Sequence, residues 1–289
     1  IYQYCYEPYA PFWDPVHINN LTFKKRFAVN FFKYLYGRFD LSATRRAVRV
    51  FTLSPETKQS ISSTYKVDSV VTHLGADLDF YRHLEEPSIA KKFKENQILL
   101  HNTDFSPPKR TDFLLDCMPA IISKIPSAKL LITCSIDDPK KIKKLMNDIT
   151  SRGIASHVIV LGWVQYELLP CYYSLADLVI YCGTSDGSGA SAVSLFVIEA
   201  MACGTPCLRS NDSKTEVLDG INGELFNPLD HSEFIGKCIS LLVNQDLLDL
   251  YASKCRSYVE NKYSWDNAAK IVYDNLESDK LLVMPKNAY

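Results

Sequence analysis

Few folds accommodate the run from Ala176 to Leu208, ADLVIYCGTSDGSGASAVSLFVIEAMACGTPCL. Leu178 to Tyr181 is a short apolar run of the kind that forms a fully buried strand. Gly183 to Ser194 is a loop of small residues, with Gly183, Gly187 and Gly189 set among serines. Leu195 to Ala202 reads as a helix, with Ser191 or Ser194 as N-cap and Gly204-Thr205-Pro206 as the stop. A strand, a glycine-rich loop and a helix start, in that order, turn backbone N–H groups and the positive end of the helix dipole toward the loop. That suits a phosphate or diphosphate; a connection that binds nothing is the alternative. Glu199 lies about a turn inside the helix, where a carboxylate can accept hydrogen bonds from a pair of hydroxyls.

Upstream, apolar runs alternate with helical patterns. Strands are expected at Ile98–His101, Lys129–Cys134 and Val158–Leu161. Helices are expected at Thr111–Ile125, Pro139–Arg152 and Leu168–Ser174, and two more follow the central run at Phe234–Val243 and Leu247–Lys262. Continuous β runs separated by helices imply an α/β fold with a doubly wound, Rossmann-like parallel sheet. Ligands in such sheets bind beyond the carboxyl ends of the strands, where the loops after Leu100, Leu161 and Tyr181 meet.

The first 96 residues are of another character. Residues 1–20 open with a strand and continue as a loop rich in Tyr and Pro. We read Tyr2, Tyr4, Tyr6, Tyr9, Phe12 and Trp13 as aromatic packing beneath it, with a sugar or lipid acceptor site as the alternative. Residues 21–49 form an amphipathic helix in which Phe27, Phe31, Tyr34 and Leu35 recur at helical spacing between Lys/Arg clusters. We take that stripe to face the core and the basic residues to face solvent. Contact with anionic lipid headgroups is the competing reading. Val48–Leu53 and Ser69–Leu74 read as strands around a helix at Ser54–Ser63, and Leu84–Glu95 as a charged connection.

Composition narrows the function classes. With 47% hydrophobic and 22% charged residues the chain is globular, and a net charge of −1 gives no field for nucleic acid. Nine cysteines, several inside apolar runs, suit reduced thiols in a cytoplasmic setting. Cys203 and Cys207 have no second pair at ligand spacing, so no metal is expected. No apolar run is long enough to span a membrane. The chain opens at Ile1 in what reads as mid-domain, so we expect a fragment.

The phrase SLFVIEAMACGTPCLRSNDSKTEVLDGINGELFNP resembles the C-terminal half of the family-4 retaining glycosyltransferases of the GT-B fold. Their pattern is close to E-x7-E-A-M-A-C-G-x-P-V, then Glu-Val, then D-G-x-x-G-x-L-x-x-P. The match covers Glu199 to Pro206, Glu216-Val217, Asp219-Gly220, Gly223, Leu225 and Pro228. VFTLSPETKQSI…VVTHLGADLDFY resembles the family's passage out of its N-terminal domain, and SWDNAAKIVYDNL its closing helix. The resemblance implies residues 1–88 as the last part of an acceptor-side Rossmann-like domain and 89–262 as the donor-binding one. Residues 263–289 would be the closing helix, packing back on the first domain, and a tail.

The implied activity is transfer of a sugar from a nucleotide diphosphate sugar to a glycan or lipid-linked acceptor, with retention and without a cofactor. Peripheral membrane contact stays open. Lys109 fits the family's diphosphate lysine, a surface loop lysine being the plainer alternative, while its arginine position falls on Asp104, which would repel a diphosphate. Arg110 compensates only if the loop is rearranged. Glu199 fits the second glutamate, on the ribose hydroxyls. The first falls on Ser191, so either Asp186 replaces the carboxylate, or Ser191 and backbone groups hold the sugar, or Asp186 is a solvated turn residue. Backbone N–H groups of Ser194 and Leu195 form the expected diphosphate cradle, and Glu216 reads as structural. Trp163 either stacks on the base or packs inside. The family's catalytic histidine and glycine-rich loop are expected upstream of Ile1. The competing classes are a non-catalytic GT-B subunit, favoured by Asp104 and Ser191, and a GT-B epimerase or phosphorylase.

Overall fold

The computed structural model describes residues 1–184, 193–211 and 216–283, which fall into two units, Ile1–Gly75 with 262–283, and 76–184 with 194–261.

The first unit begins with β1 (Tyr2–Tyr4), then the short helices α1 (Ala10–Trp13) and α2 (Pro15–Asn20), where the sequence suggested a loop. Pro11 and Pro15 lie in the first turns of these helices. There a missing N–H and a fixed φ favour the helix rather than break it. The long helix α3 (Phe23–Arg45) leads to β2 (Arg49–Thr52), α4 (Pro55–Tyr65) and β3 (Val70–Val71). Ser54 caps α4, its hydroxyl accepting from the Thr57 amide at 3.1 Å. The strands form a parallel sheet in the order β1-β2-β3. Cys5, Val50, Ile61 and Tyr65 make its core, with Trp13 and Leu41 packed against them.

Helix α3 reverses the expectation that its apolar stripe faces the core. Its buried residues are Gly37 and Thr44, whereas Phe27, Phe31, Tyr34 and Leu35 are exposed. Inward, α3 uses small and polar groups. Gly37 lies against the Trp13 ring, and Asp40 accepts from Trp13 Nε1 at 2.6 Å and from the Tyr65 hydroxyl at 3.0 Å.

The second unit contains α5 (Pro87–Phe93), β4 (Gln97–Thr103), α6 (Thr111–Lys124), β5 (Ala128–Cys134), α7 (Pro139–Ser151), β6 (Val158–Gly162), α8 (Leu169–Leu175) and β7 (Leu178–Tyr181). It goes on with α9 (Leu195–Ala202), β8 (Cys207–Ser210), β9 (Gly223–Phe226), α10 (His231–Val243) and α11 (Gln245–Lys262). The six-stranded parallel sheet has the order β6-β5-β4-β7-β8-β9, so the winding reverses between β4 and β7. This is the doubly wound arrangement with its crevice at that switch point. Strands β8 and β9 were not foreseen. Cys207-Leu-Arg-Ser carries an arginine, and Gly223-Glu-Leu-Phe starts on a glycine, so neither has the apolar run of a central strand. The core joins Leu99, Leu130, Ile132, Leu178 and Ile180 of the strands to Leu114, Met118, Phe234 and Leu241 of α6 and α10. The last helix, α12 (Trp265–Val283), belongs to the first unit, where Asp279 pairs with Arg49 and Trp265 closes over Gly75.

Candidate functional site

The loops after β4 and β7 meet at the switch point. The Thr184 amide donates to the Pro108 carbonyl at 3.0 Å, so the loop carrying Lys109 is tied to the loop that leads into α9. Beneath them, His101 of β4 is buried with Nδ1 3.1 Å from the Ile180 carbonyl of β7 and Nε2 3.1 Å from Thr111 Oγ1 at the start of α6. Burial pushes its imidazole down to about 4, so it is neutral at physiological pH. The carbonyl at Nδ1 requires the proton there.

Lys109 places its Nζ 5.6 Å from the centre of the Tyr181 ring. On the same ring lies the Arg209 guanidinium, at 4.7 Å. Both contacts are within cation–π range. Gly183 lets the ring fold back over the loop, since a Cβ there would meet Tyr181 at 2.6 Å. Arg209 was not singled out from sequence. It is buried in β8 and paired with the equally buried Glu216 at 2.9 Å. The available signal was a charged residue directly after the apolar pair Cys207-Leu208. Arg110 is turned to the Pro228 carbonyl and stacks over Phe113, so it does not stand in for the arginine that Asp104 replaces. Asp104 accepts from the amide and hydroxyl of Ser106. Burial pushes its carboxyl up, and these hydrogen bonds outweigh that and leave it below the ordinary carboxylate value. Its role on this geometry is to shape the loop.

Helix α9 carries the strong helix formers Leu, Glu, Ala and Met at five of its eight positions, and it ends at Gly204, with φ +91°. Ser194 is the N-cap residue but makes no side-chain cap. Its amide donates at 3.3 Å to Glu216 Oε1. The Arg209–Glu216 pair therefore occupies one donor of the expected cradle, and the helix leaves the N–H groups of Leu195 and Phe196 without an intrahelical acceptor. Glu199 lies one turn on and accepts from the Tyr173 hydroxyl at 2.8 Å, with Tyr81 as a second hydroxyl partner. Burial raises its carboxyl above the ordinary value. A carboxylate has about four acceptor positions, so the two tyrosines leave capacity for a further diol. Trp163, after β6, is 59% exposed rather than packed, and Tyr166 in the same loop stacks on Phe80 at 4.2 Å. Asp186 and Ser191 lie outside the described residues. Lys109 thus lies on a loop tied to the end of β7, while Glu199 is held by two tyrosines. Among the described residues no group of three or more His, Cys, Asp or Glu is placed to hold a metal ion.

Comparison with known proteins bears on this geometry. The sequence profile of the family described as "Glycosyl transferases group 1" matches residues 96–244, just over half the chain. The chain is 23% identical over 238 residues to a GDP-mannose-dependent phosphatidylinositol monomannoside mannosyltransferase of Corynebacterium glutamicum, covering 78% of this chain and 61% of that one. It is 28% identical over 260 residues to an O-antigen chain mannosyltransferase of Salmonella typhimurium, covering 87% and 66%. The chain therefore spans about three fifths to two thirds of the length of these relatives. Among solved structures, an Anabaena protein in complex with UDP superposes with a TM-score of 0.73 at 18% identity, over 96% of this chain and 72% of that one.

Proposed function

Because the chain belongs to the glycosyl transferases group 1 family and has the GT-B fold, we propose that it moves a sugar from a nucleotide diphosphate donor to a glycan or lipid-linked acceptor. The transfer proceeds with retention at the anomeric carbon. The observation that carries this reading is the tied pair of loops at the switch point, which holds Lys109 over Tyr181, the ring that Arg209 shares and that the Arg209–Glu216 pair links to the N-cap amide of α9.

A diphosphate there meets the Lys109 ammonium, the first amides of α9 and the helix dipole. Glu199 takes the ribose hydroxyls, Trp163 the base, and Asp186 and Ser191 the donor sugar. The bond between the anomeric carbon and the β-phosphate oxygen breaks, the acceptor oxygen bonds on the same face, and its proton leaves with the diphosphate. Lys109 and the helix start stabilise the charge that develops on the leaving oxygens. In this reading 89–262 is the donor-binding domain and 1–88 belongs to the acceptor side. The nine free cysteines favour a reducing, cytoplasmic setting, and no helix among the described residues is long and apolar enough to cross a membrane. Contact with a membrane is peripheral.

A second reading, a GT-B subunit without transfer chemistry, is favoured by Asp104 at the arginine position. Incubation with UDP- and GDP-sugars separates the two. The transferase reading expects slow release of nucleoside diphosphate even without acceptor, and the first sugar anomer seen by proton NMR keeps the donor's configuration. The opposite anomer contradicts retention. Donor binding without any release, with and without candidate acceptors, by a protein that also carries the histidine expected upstream of Ile1 favours the second reading.

A further inference from the structure

One arginine bonds to both sides of the Glu199 contact. Arg256 of α11 donates from Nη1 to the Tyr81 carbonyl at 2.6 Å and to the Ala202 carbonyl at 2.9 Å, and from Nη2 to the Leu78 carbonyl at 3.0 Å. Its Nε donates to Glu260, one turn on, at 2.7 Å, which fixes the fork on its own helix. Ala202 is the last residue of α9, where carbonyls lack an intrahelical donor and a cation suits the helix dipole. Leu78 and Tyr81 lie between β3 and α5, outside any helix or strand. Asp77 braces that turn, its carboxylate accepting from the amides of Asp79 and Phe80 at 3.1 Å each. All of these residues belong to the second unit.

The two backbones that Arg256 joins carry the two ends of one hydrogen bond. Glu199 stands three residues before Ala202 in α9, and Tyr81 brings its hydroxyl to the Glu199 carboxylate. Tyr173, the other partner, is built into α8, and the Thr205 hydroxyl donates to its carbonyl at 2.6 Å. Tyr81 has no such helix around it, so its place depends on the arginine. Both tyrosines are buried, at 4% and 3% exposed, with their rings 6.0 Å apart. A carboxylate that accepts from two fixed hydroxyls has its remaining lone pairs aimed in a fixed direction, and these take only groups that donate. A ligand with one hydroxyl missing there leaves a desolvated lone pair unpaired, which is costly.

We propose that Arg256 and Tyr81 are positioning residues of the donor site. By tying the 78–81 turn to the end of α9, Arg256 keeps the Tyr81 hydroxyl on Glu199. That bond sets how strongly the site prefers a ribonucleotide to its 2′-deoxy counterpart. The inference rests on the proposed assignment of the ribose hydroxyls to Glu199, and its test separates the two.

Calorimetry measures the binding of UDP, GDP, ADP and their 2′-deoxy counterparts to the full chain, as wild type, Tyr81→Phe and Arg256→Lys. A hydrogen bond to a charged group is worth roughly ten- to a hundredfold in binding, and the wild type is expected to prefer one ribonucleotide by that factor. Tyr81→Phe keeps the ring and drops the hydroxyl, and is expected to cut the preference roughly fivefold. Arg256→Lys keeps a cation at the end of α9 without the planar fork that spans three carbonyls, and is expected to cut it as well. In the Tyr81→Phe background Arg256→Lys should cut it no further, since both act through one bond. No binding or no preference in the wild type overturns the ribose assignment, and the inference with it. A wild-type preference that either variant keeps, even with both nucleotides bound more weakly, overturns the inference alone, because a merely structural arginine weakens both nucleotides alike. A further cut in the double variant overturns it too.

Discussion

Arg209 and Glu216, with side chains 1% and 0% exposed, hold the entry to α9 from below. Desolvating two such charges is expensive and their attraction returns it only while both are present. Glu216 also receives the Ser194 amide, and Arg209 lies against the Tyr181 ring that carries Lys109 on it. Arg209→Met is therefore expected to destabilise the protein by roughly 3–5 kcal/mol, because it strands a buried carboxylate. Replacing Glu216 by Leu in the same chain should return part of that loss. Urea denaturation of the two variants checks this, and a single substitution as mild as the double would refute it. The places of Lys109 and Glu199 in the fold were legible in the sequence because motif spacing fixes where each sits relative to a helix start. The partners that hold them were not. Tyr81 and Tyr173 reach Glu199 from 118 and 26 positions away, and Arg209 is identified only by its burial.

Among elements, the critical joint is that of β4, β7 and α6, fastened by His101. Its imidazole is pushed down to about 4 by burial, with Lys109 adding to the shift and Asp104 and the Ile180 carbonyl opposing it. An unfolded chain protonates this histidine near its ordinary value of about 6.5, so below that pH the unfolded state binds a proton that the folded state refuses. Its contribution to stability is full above pH 6.5 and declines as the pH falls toward 4, by roughly 3 kcal/mol at most. His101→Gln should flatten the acid side of the stability–pH curve within that window and leave its shape above pH 7 unchanged. Denaturant midpoints across the series measure it, and parallel curves would contradict it. The helices and strands from Gln97 to Ala202 were legible because each has a single strong periodicity and its own stop. Strands β8 and β9 were not, because tertiary pairing, of β8 with β7 and of β9 with β8, overrides their weak local pattern. Helix α3 was legible as a helix and misread in its facing, because periodicity reveals a stripe and does not say what covers it.

For the whole molecule, sheet order, tied loops and family membership converge on one claim, that the second unit holds a nucleoside diphosphate at the β4–β7 switch point. The resemblance implies the same claim, since a long motif constrains the backbone around it. The donor's base and sugar stay outside its reach because Asp104 and Ser191 depart from the pattern at two of the contact positions. Thermal unfolding with UDP, GDP and ADP, on the wild type and on Glu199→Ala, tests the claim most directly. A ligand that binds only the folded state adds about 2.7 kcal/mol at a hundredfold excess over its dissociation constant. The account predicts a raised melting temperature with one of the three, and loss of most of that shift in a Glu199→Ala protein that still melts cooperatively. No shift with any nucleotide, or a shift equal in both proteins, would contradict it.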